Sequence, residues 1–255
     1  MIGGQPQNKH MQHWHYSKED LLEGQTLLVD KPLTWTSFNV IGKLRSIFNI
    51  KKIGHAGTLD PLATGLLIIC TGKHTKRINE YMGMEKEYEG TITLGHTTPT
   101  FDLESQPENP KPFDHLTPEM LEQATGAFKG TISQVPPAHS AIKQQGERVY
   151  EKARRGENVV MEPRIVTISR FDITRIALPE IDFRVVCSTG TYIRSLANDY
   201  GAALGCGGYL SRLVRTRIGG YPLAEAMSPE DIKDAFLSFK RQQKSGSSET
   251  PDQNG

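Results

Sequence analysis

The sequence predicts an α+β fold, one mixed and mostly antiparallel sheet with helices packed against it. Three observations predict it. Apolar residues recur with strand and helix spacing in alternation along the chain, without a regular strand–helix–strand period. No internal repeat is present. With 255 residues and 36% hydrophobic content, the chain can bury one large core or two small ones, and it lacks the compositional bias of disorder or collagen.

Taken in order, residues 1–22 are polar and rich in Gly, Gln and His, which predicts a flexible tail. The nearby His10, His13 and His15 fit that tail better than a metal site. Thr26 to Val29 reads as a strand, Asp30-Lys31-Pro32 as a turn, and the following stretch as a helix capped by Thr36 or Ser37. Its stripe is Val40, Ile41, Leu44, Ile47 and Phe48. Gly54 to Gly65 is punctuated by Gly, Thr and Pro and predicts an ordered loop, and Gly65 to Cys70 a buried strand. From Lys86 to Gly95, Tyr88, Ile92 and Leu94 alternate with Glu87, Glu89, Thr91 and Thr93, so Tyr88 is expected to point inward.

Thr117-Pro118-Glu119 places cap, proline and acid as a helix start requires. Arg148 to Arg155 reads as a basic helix stopped by Gly156. Strands are expected near Ile165 to Ile173, Ile181 to Cys187 and Tyr209 to Ile218. Between the last two lies a helix with the stripe Ile193, Leu196, Ala197, Tyr200 and Leu204, capped by Thr191. A helix capped by Ser228-Pro229 ends the folded part, and Lys240 to Gly255, with no apolar residue, predicts disorder.

Composition excludes several function classes. No apolar run approaches the roughly 20 residues of a spanning helix, and no basic-then-apolar leader is present, so a soluble cytoplasmic protein is expected. Cys70, Cys187 and Cys206 are far apart and show no CxxC spacing, which points to reduced, buried thiols and to no zinc site. Net charge is only +1, yet it is segregated: Val40 to Arg77 holds seven Lys/Arg against Asp60, whereas Ile78 to Glu122 holds ten acids and two bases. Such segregation can build a basic face for nucleic acid or be ordinary solvated surface.

Asp60 is a lone carboxylate in a loop with three glycines and a proline. Asp before Pro is an ordinary turn starter, so a turn residue and a catalytic group are both compatible with it. Leu59, Leu62 and Leu66 to Ile69 surround it, and a half-buried carboxylate needs a partner. Arg194 is a cation at the third position of its helix if Thr191 is the cap, where the macrodipole disfavours it. An Asp60–Arg194 ion pair would satisfy both residues, and a solvent-facing Arg194 remains the alternative. Pro136-Pro137 to Arg155 carries Lys143, Arg148, Lys152, Arg154, Arg155 and Tyr150, either a solvated face or a phosphate-gripping arm. A hydrolase or phosphotransferase would want a second carboxylate, a metal cluster or a phosphate loop, which Gly72-Lys73-His74-Thr75 imitates poorly.

At these residues the chain resembles the tRNA pseudouridine synthase B family. The ordered matches are Asp30-Lys31-Pro32, the Gly54 to Gly65 loop, Lys86-Glu87-Tyr88 with Leu94-Gly95, Val135-Pro136-Pro137 to Lys143, Tyr150 to Arg154, and Gly190-Thr191-Tyr192-Ile193-Arg194. The resemblance implies the pseudouridine synthase fold over residues 23–239. It implies isomerisation of the T-loop uridine of tRNA without cofactor or metal, with Asp60 as the catalytic carboxylate, Arg194 as its partner and Tyr88 at the base. His55 corresponds to a histidine intruding into the RNA loop, and Leu213 to an apolar residue of the active site. Lys31, Lys143 and Arg154 are the further substrate-binding residues it suggests, and residues 136–160 look like a thumb that clamps the T arm. Two departures stand out: Ser105 occupies the glycine position of the Thr98-x-Thr100-x-Asp102 loop, which leaves that loop's conformation open. A polar tail also stands where many relatives carry a PUA domain, so a form without that domain is expected. A monomer is expected too, and a tRNA-binding module or chaperone without chemistry is the rival reading.

Overall fold

The computed structural model describes residues 14–137, 143–144, 147–148, 155 and 161–246. Along the chain come α1 (Lys18–Glu23), β1 (Thr26–Lys31), α2 (Ser37–Phe48), β2 (Ile53–Ala56), β3 (Ala63–Thr71) and α3 (Ile78–Gly83). Then follow β4 (Lys86–Leu94), α4 (Pro118–Thr125), β5 (Gly130–Gln134), β6 (Lys143–Gln144), β7 (Glu147–Arg148), β8 (Arg164–Ala177) and β9 (Glu180–Cys187). The last are α5 (Ile193–Ala203), β10 (Gly208–Ile218), β11 (Tyr221–Pro222) and α6 (Pro229–Gly246). The chain is α+β, as its patterning predicts, and the pairs β1–β3, β2–β3, β4–β10, β4–β9, β5–β8, β6–β7 and β8–β9 are antiparallel, beside isolated parallel bridges such as Val29 with Met227. Among the described residues no helix is long and apolar enough to cross a membrane.

The chain divides into two compact units, the first from Met1–Met82 with Gly220–Gly255 and the second from Gly83–Gly219. In the first, β3 lies between β1 and β2, with Thr26 opposite Cys70 and His55 opposite Ile69. The stripe predicted for α2 is what buries: Val40, Ile41, Leu44 and Phe48 pack with Leu27, Val29, Leu67, Ile69, Ile232 and Phe236. Thr36 caps α2, its hydroxyl accepting from the N–H of Asn39 while the Asn39 side chain accepts from the N–H of Thr36. This reciprocal box closes two helix-end donors at once.

In the second unit the strands run β10, β4, β9, β8, β5, each antiparallel to its neighbour. Phe171, Phe183 and Tyr200 form its aromatic centre, with Phe171 and Tyr200 rings 5.4 Å apart. α5 packs closely on β10 because Gly201 has no side chain: a Cβ there would lie 2.2 Å from the Gly208 nitrogen.

Five expectations are corrected. The later part of the tail predicted over residues 1–22 is structured: the Trp14 ring stacks on Phe48 at 5.7 Å. There Ser17 and Asp20 form a capping box that starts α1. Mean polarity hid these two local devices. The Gly54 to Gly65 loop is loop only at residues 57–62, because β2 and β3 claim its ends. Arg148 ends a two-residue strand opposite Lys143 rather than opening a helix. α5 starts after Tyr192, not Thr191, whose hydroxyl turns back to the carbonyl of Ser188. Residues 240–246 continue α6: adding turns to an existing helix costs far less than nucleating one, and Lys and Arg suit its C-terminal end. Most of the predicted thumb, 138–142, 145–146, 149–154 and 156–160, and the rest of the tail, 247–255, lie outside the described residues.

Candidate active site

The loop carrying Asp60 is held from both flanks by the first unit. Gly57 enters it with φ +89° and Gly65 follows it with φ +98°, left-handed values that side chains disfavour. On one flank, Ser37 at the start of α2 is buried, and its hydroxyl accepts from the N–H of Leu59 at 3.0 Å and donates to the Leu59 carbonyl at 3.3 Å. On the other, the Pro61 carbonyl accepts from the N–H of Thr34 at 2.8 Å. Asp60 itself is half-buried, its carbonyl closing a turn onto Ala63 at 3.1 Å. A backbone fixed in this way is what a side chain aimed at a substrate requires.

Lys31, expected to bind substrate, has a different task. It is fully buried at the end of β1, and its ammonium donates to the carbonyls of Pro32 at 3.0 Å, Trp35 at 2.5 Å and Pro61 at 3.4 Å. A buried ammonium must be satisfied in this way, and a side chain so enclosed cannot reach a bound RNA. It ties the turn after β1 to the Asp60–Pro61 loop.

His55 stands half-buried on β2, its ring edge-to-face with that of Phe38. Asp30, opposite Leu66, has its carboxyl held above the usual range by burial, partly offset by the N–H of Gly65.

The remaining predicted residues belong to the second unit. Tyr88 is buried on β4 opposite Arg215 and Val185, and Leu213 is buried on β10 opposite Gly90. Arg194 is the second residue of α5 and only 4% exposed. Its position is fixed by β5: the Gln134 amide donates to the Tyr192 carbonyl at 3.0 Å and accepts from the Tyr192 N–H at 2.8 Å. Ser195 adds a bond to the Val135 carbonyl at 2.8 Å. Lys143 falls on β6, and Arg154 lies outside the described residues.

The sequence reading missed Asp102 as a site residue. Arg194 Nε lies 3.5 Å from Asp102 Oδ2, both side chains 5% exposed, and Arg194 Nη1 donates to the Thr100 carbonyl at 3.1 Å. The loop in doubt for want of a glycine is closed by Ser105, whose hydroxyl lies 2.7 Å from Thr100 Oγ1 and accepts from the Thr100 N–H at 3.1 Å. The Glu104 N–H caps Asp102 Oδ1 at 3.0 Å. An anion beside Arg194 was anticipated from the helix-end conflict, so the signal existed. The acid-rich run around Asp102 offered too many candidates.

Near Tyr88, Lys86 is buried and its ammonium pushed down to about 8, by burial first and then by the Arg215 cation. The three cysteines are free and buried, and burial pushes Cys70 and Cys187 up to about 11. Among the described residues no group of three or more His, Cys, Asp or Glu could hold a metal ion. A cavity of about 300 Å³ lined by Trp14, Tyr16, Leu27, Met227 and Ile232 contains none of these site residues.

Known proteins share this arrangement of sequence. The profile described as TruB family pseudouridylate synthase (N terminal domain) matches residues 45–193, and that of the tRNA pseudouridylate synthase B C-terminal domain matches 194–248. The chain is 54% identical over 216 residues to the tRNA pseudouridine synthase B of Flavobacterium johnsoniae, covering 82% of this chain and 94% of that protein. With the protein of the same name from Parabacteroides distasonis it is 49% identical, over 84% and 94% of the two chains. A chain in the crystal structure of a Cbf5-Nop10-Gar1 complex superposes with a TM-score of 0.70 at 27% identity, over 91% of this chain and 62% of that one. This chain therefore spans less than two thirds of that solved chain. With more than half its residues inside the first profile and relatives this similar along most of their length, the chain belongs to the TruB family of pseudouridylate synthases.

Proposed function

We propose that this protein isomerises the T-loop uridine of tRNA to pseudouridine, acting as a cytoplasmic monomer on the T arm. The observation that carries the reading is the support of Asp60: both neighbours of this half-buried residue are bonded, Leu59 to Ser37 and Pro61 to Thr34 and Lys31. Family membership supplies the reaction class.

The reaction breaks the N1–C1′ bond of uridine, turns the uracil and joins C5 to C1′. The C5 proton leaves and N1 gains one, so atoms balance without oxidant, reductant or added group. Asp60 supplies the carboxylate, either adding to C1′ as a nucleophile or removing the 2′ proton to leave a glycal. Arg194 pairs with Asp60 in the working enzyme and directs the carboxylate. Its hydrogen bond to Thr100 and its ion pair with Asp102 hold the guanidinium in place. Tyr88 positions the base, while Leu62, Leu66 and Leu213 exclude the water that would hydrolyse a glycosyl intermediate. The target base is flipped out of the loop to reach these groups, with His55 filling the space it leaves. Lys143, Arg154 and the rest of the 136–160 segment grip the T-arm phosphates.

The test is to map pseudouridine in tRNA exposed to the protein. One new pseudouridine in the T loop is expected, and it should be absent after treatment with Asp60→Asn. Tight binding of tRNA with no pseudouridine from either protein would establish the rival reading of a tRNA-binding module.

A further inference from the structure

The first turn of α2 displays an aromatic ring that the reaction as described does not use. Phe38, the second residue of that helix, is 64% exposed. A single exposed apolar side chain needs no explanation by itself, so the case rests on where this ring is fixed and what surrounds it.

Its backbone belongs to the bracket around Asp60. The preceding Ser37 is bonded to both polar groups of the Leu59 backbone, and the Thr36–Asn39 box fixes the helix start. Phe38 is therefore displayed from the structure that positions the catalytic loop. Its ring meets His55 edge-to-face, with centroids 5.6 Å apart and planes at 89°. In the turn between β1 and α2, Leu33 is 56% exposed. Lys51 and Lys52, just before the strand that carries His55, are exposed, and neither has an ion-pair partner among the described residues. Exposed aromatic surface on a segment that also carries cations without an ion-pair partner among the described residues is the pattern that takes unstacked nucleobases and their phosphates.

We infer that Phe38 is a base-stacking residue: its ring packs against a nucleobase of the substrate RNA loop beside the flipped uridine, and with His55 forms a two-ring surface that keeps the loop open. The inference rests on the proposed RNA function and assigns Phe38 to binding, not to chemistry.

A T-arm hairpin RNA tests it, with affinity measured in the Asp60→Asn background and turnover measured in the otherwise unaltered protein. Phe38→Ala should raise both Kd and KM about tenfold, the scale of one lost base–aromatic stack, with kcat at saturating RNA little changed. Phe38→Trp should restore the affinity, and Phe38→Leu, equally apolar but without a flat π face, should not. Equal affinity for the Leu and Trp variants, or a loss confined to kcat, would overturn the inference and leave Phe38 as a brace for His55. Thermal unfolding of each variant checks that folding is intact. Absence of pseudouridine with the unaltered protein would count against the enzymatic function, while the Kd comparison would still decide the role of Phe38. No binding of the hairpin by any variant would sink both.

Discussion

Asp102 and Lys31 show how single residues take on roles that their neighbours in sequence do not announce. Asp102 is the anion seen beside the buried Arg194, and removing one member of a buried pair leaves an uncompensated charge. Asp102→Ala is expected to cost about 3–5 kcal/mol of stability on that ground, read by denaturant unfolding, and to lower kcat more than it raises KM. Asp102→Asn, which still accepts from the Glu104 N–H, should fall between the two. Lys31→Met would leave carbonyls of Pro32 and Trp35 without their donor. A loss of about 2–4 kcal/mol follows from the cost of unsatisfied buried acceptors, and a Tm unchanged within a degree or two would contradict the role assigned to Lys31.

Lys86 gives a signed pH effect. Its folded value of about 8 lies below the 10.5 of a free lysine, so between these the unfolded chain holds a proton that the folded one has released. Its contribution to stability therefore rises with pH across that window and is lost as pH falls through 8. Cys70 and Cys187, raised from 9.0 to about 11, act in the opposite sense. The difference in unfolding free energy between the unaltered protein and Lys86→Met, followed from pH 7 to pH 10, isolates the lysine. A difference that does not grow with pH would refute this account of Lys86.

At the scale of elements, α2, α5 and the buried strands were legible because their apolar spacing survives in any surroundings, whereas the short α1 and α3 were not. The stripe of α2 buries as its period requires, and Tyr88 points inward as the alternation in β4 requires. Elements that owe their form to a distant partner were not. β2 exists because β3 pairs with it, and β5 because β8 does. Neither carries enough pattern to announce itself. The same distinction holds for the candidate site: Asp60 was visible as a carboxylate in a glycine-punctuated loop, whereas Ser37, bonded to the adjoining Leu59 across 22 positions of sequence, was not. Ser37→Ala should lower kcat by loosening the loop and cost about 1–3 kcal/mol as the Leu59 backbone loses its partner. In α5, Gly201→Ala should be at least as damaging, about 2–3 kcal/mol, because the new methyl meets the Gly207–Gly208 backbone rather than a side chain that can move. Circular dichroism melts of the two variants check both.

At the scale of the molecule, a net charge of +1 conceals a division between a basic stretch and an acidic one. Part of each is spent internally: Lys73 pairs with Glu23, Arg77 with Glu80 and Arg217 with Glu85. What is left for RNA is the smaller set of unpaired cations, which composition alone does not single out. The division into two units was likewise open in the sequence, since the first is assembled from both ends of the chain. Asp60 belongs to the first unit and Tyr88, Arg194 and Leu213 to the second. The central claim of the proposed chemistry is that the Asp60 carboxylate performs the isomerisation. The most direct measurement is single-turnover release of tritium from tRNA carrying 5-tritiated uridine, comparing the unaltered protein with Asp60→Asn while tRNA affinity is measured in parallel. The account predicts release from the unaltered protein, none from Asp60→Asn, and affinities within a few fold of each other. Undiminished release from Asp60→Asn would contradict it.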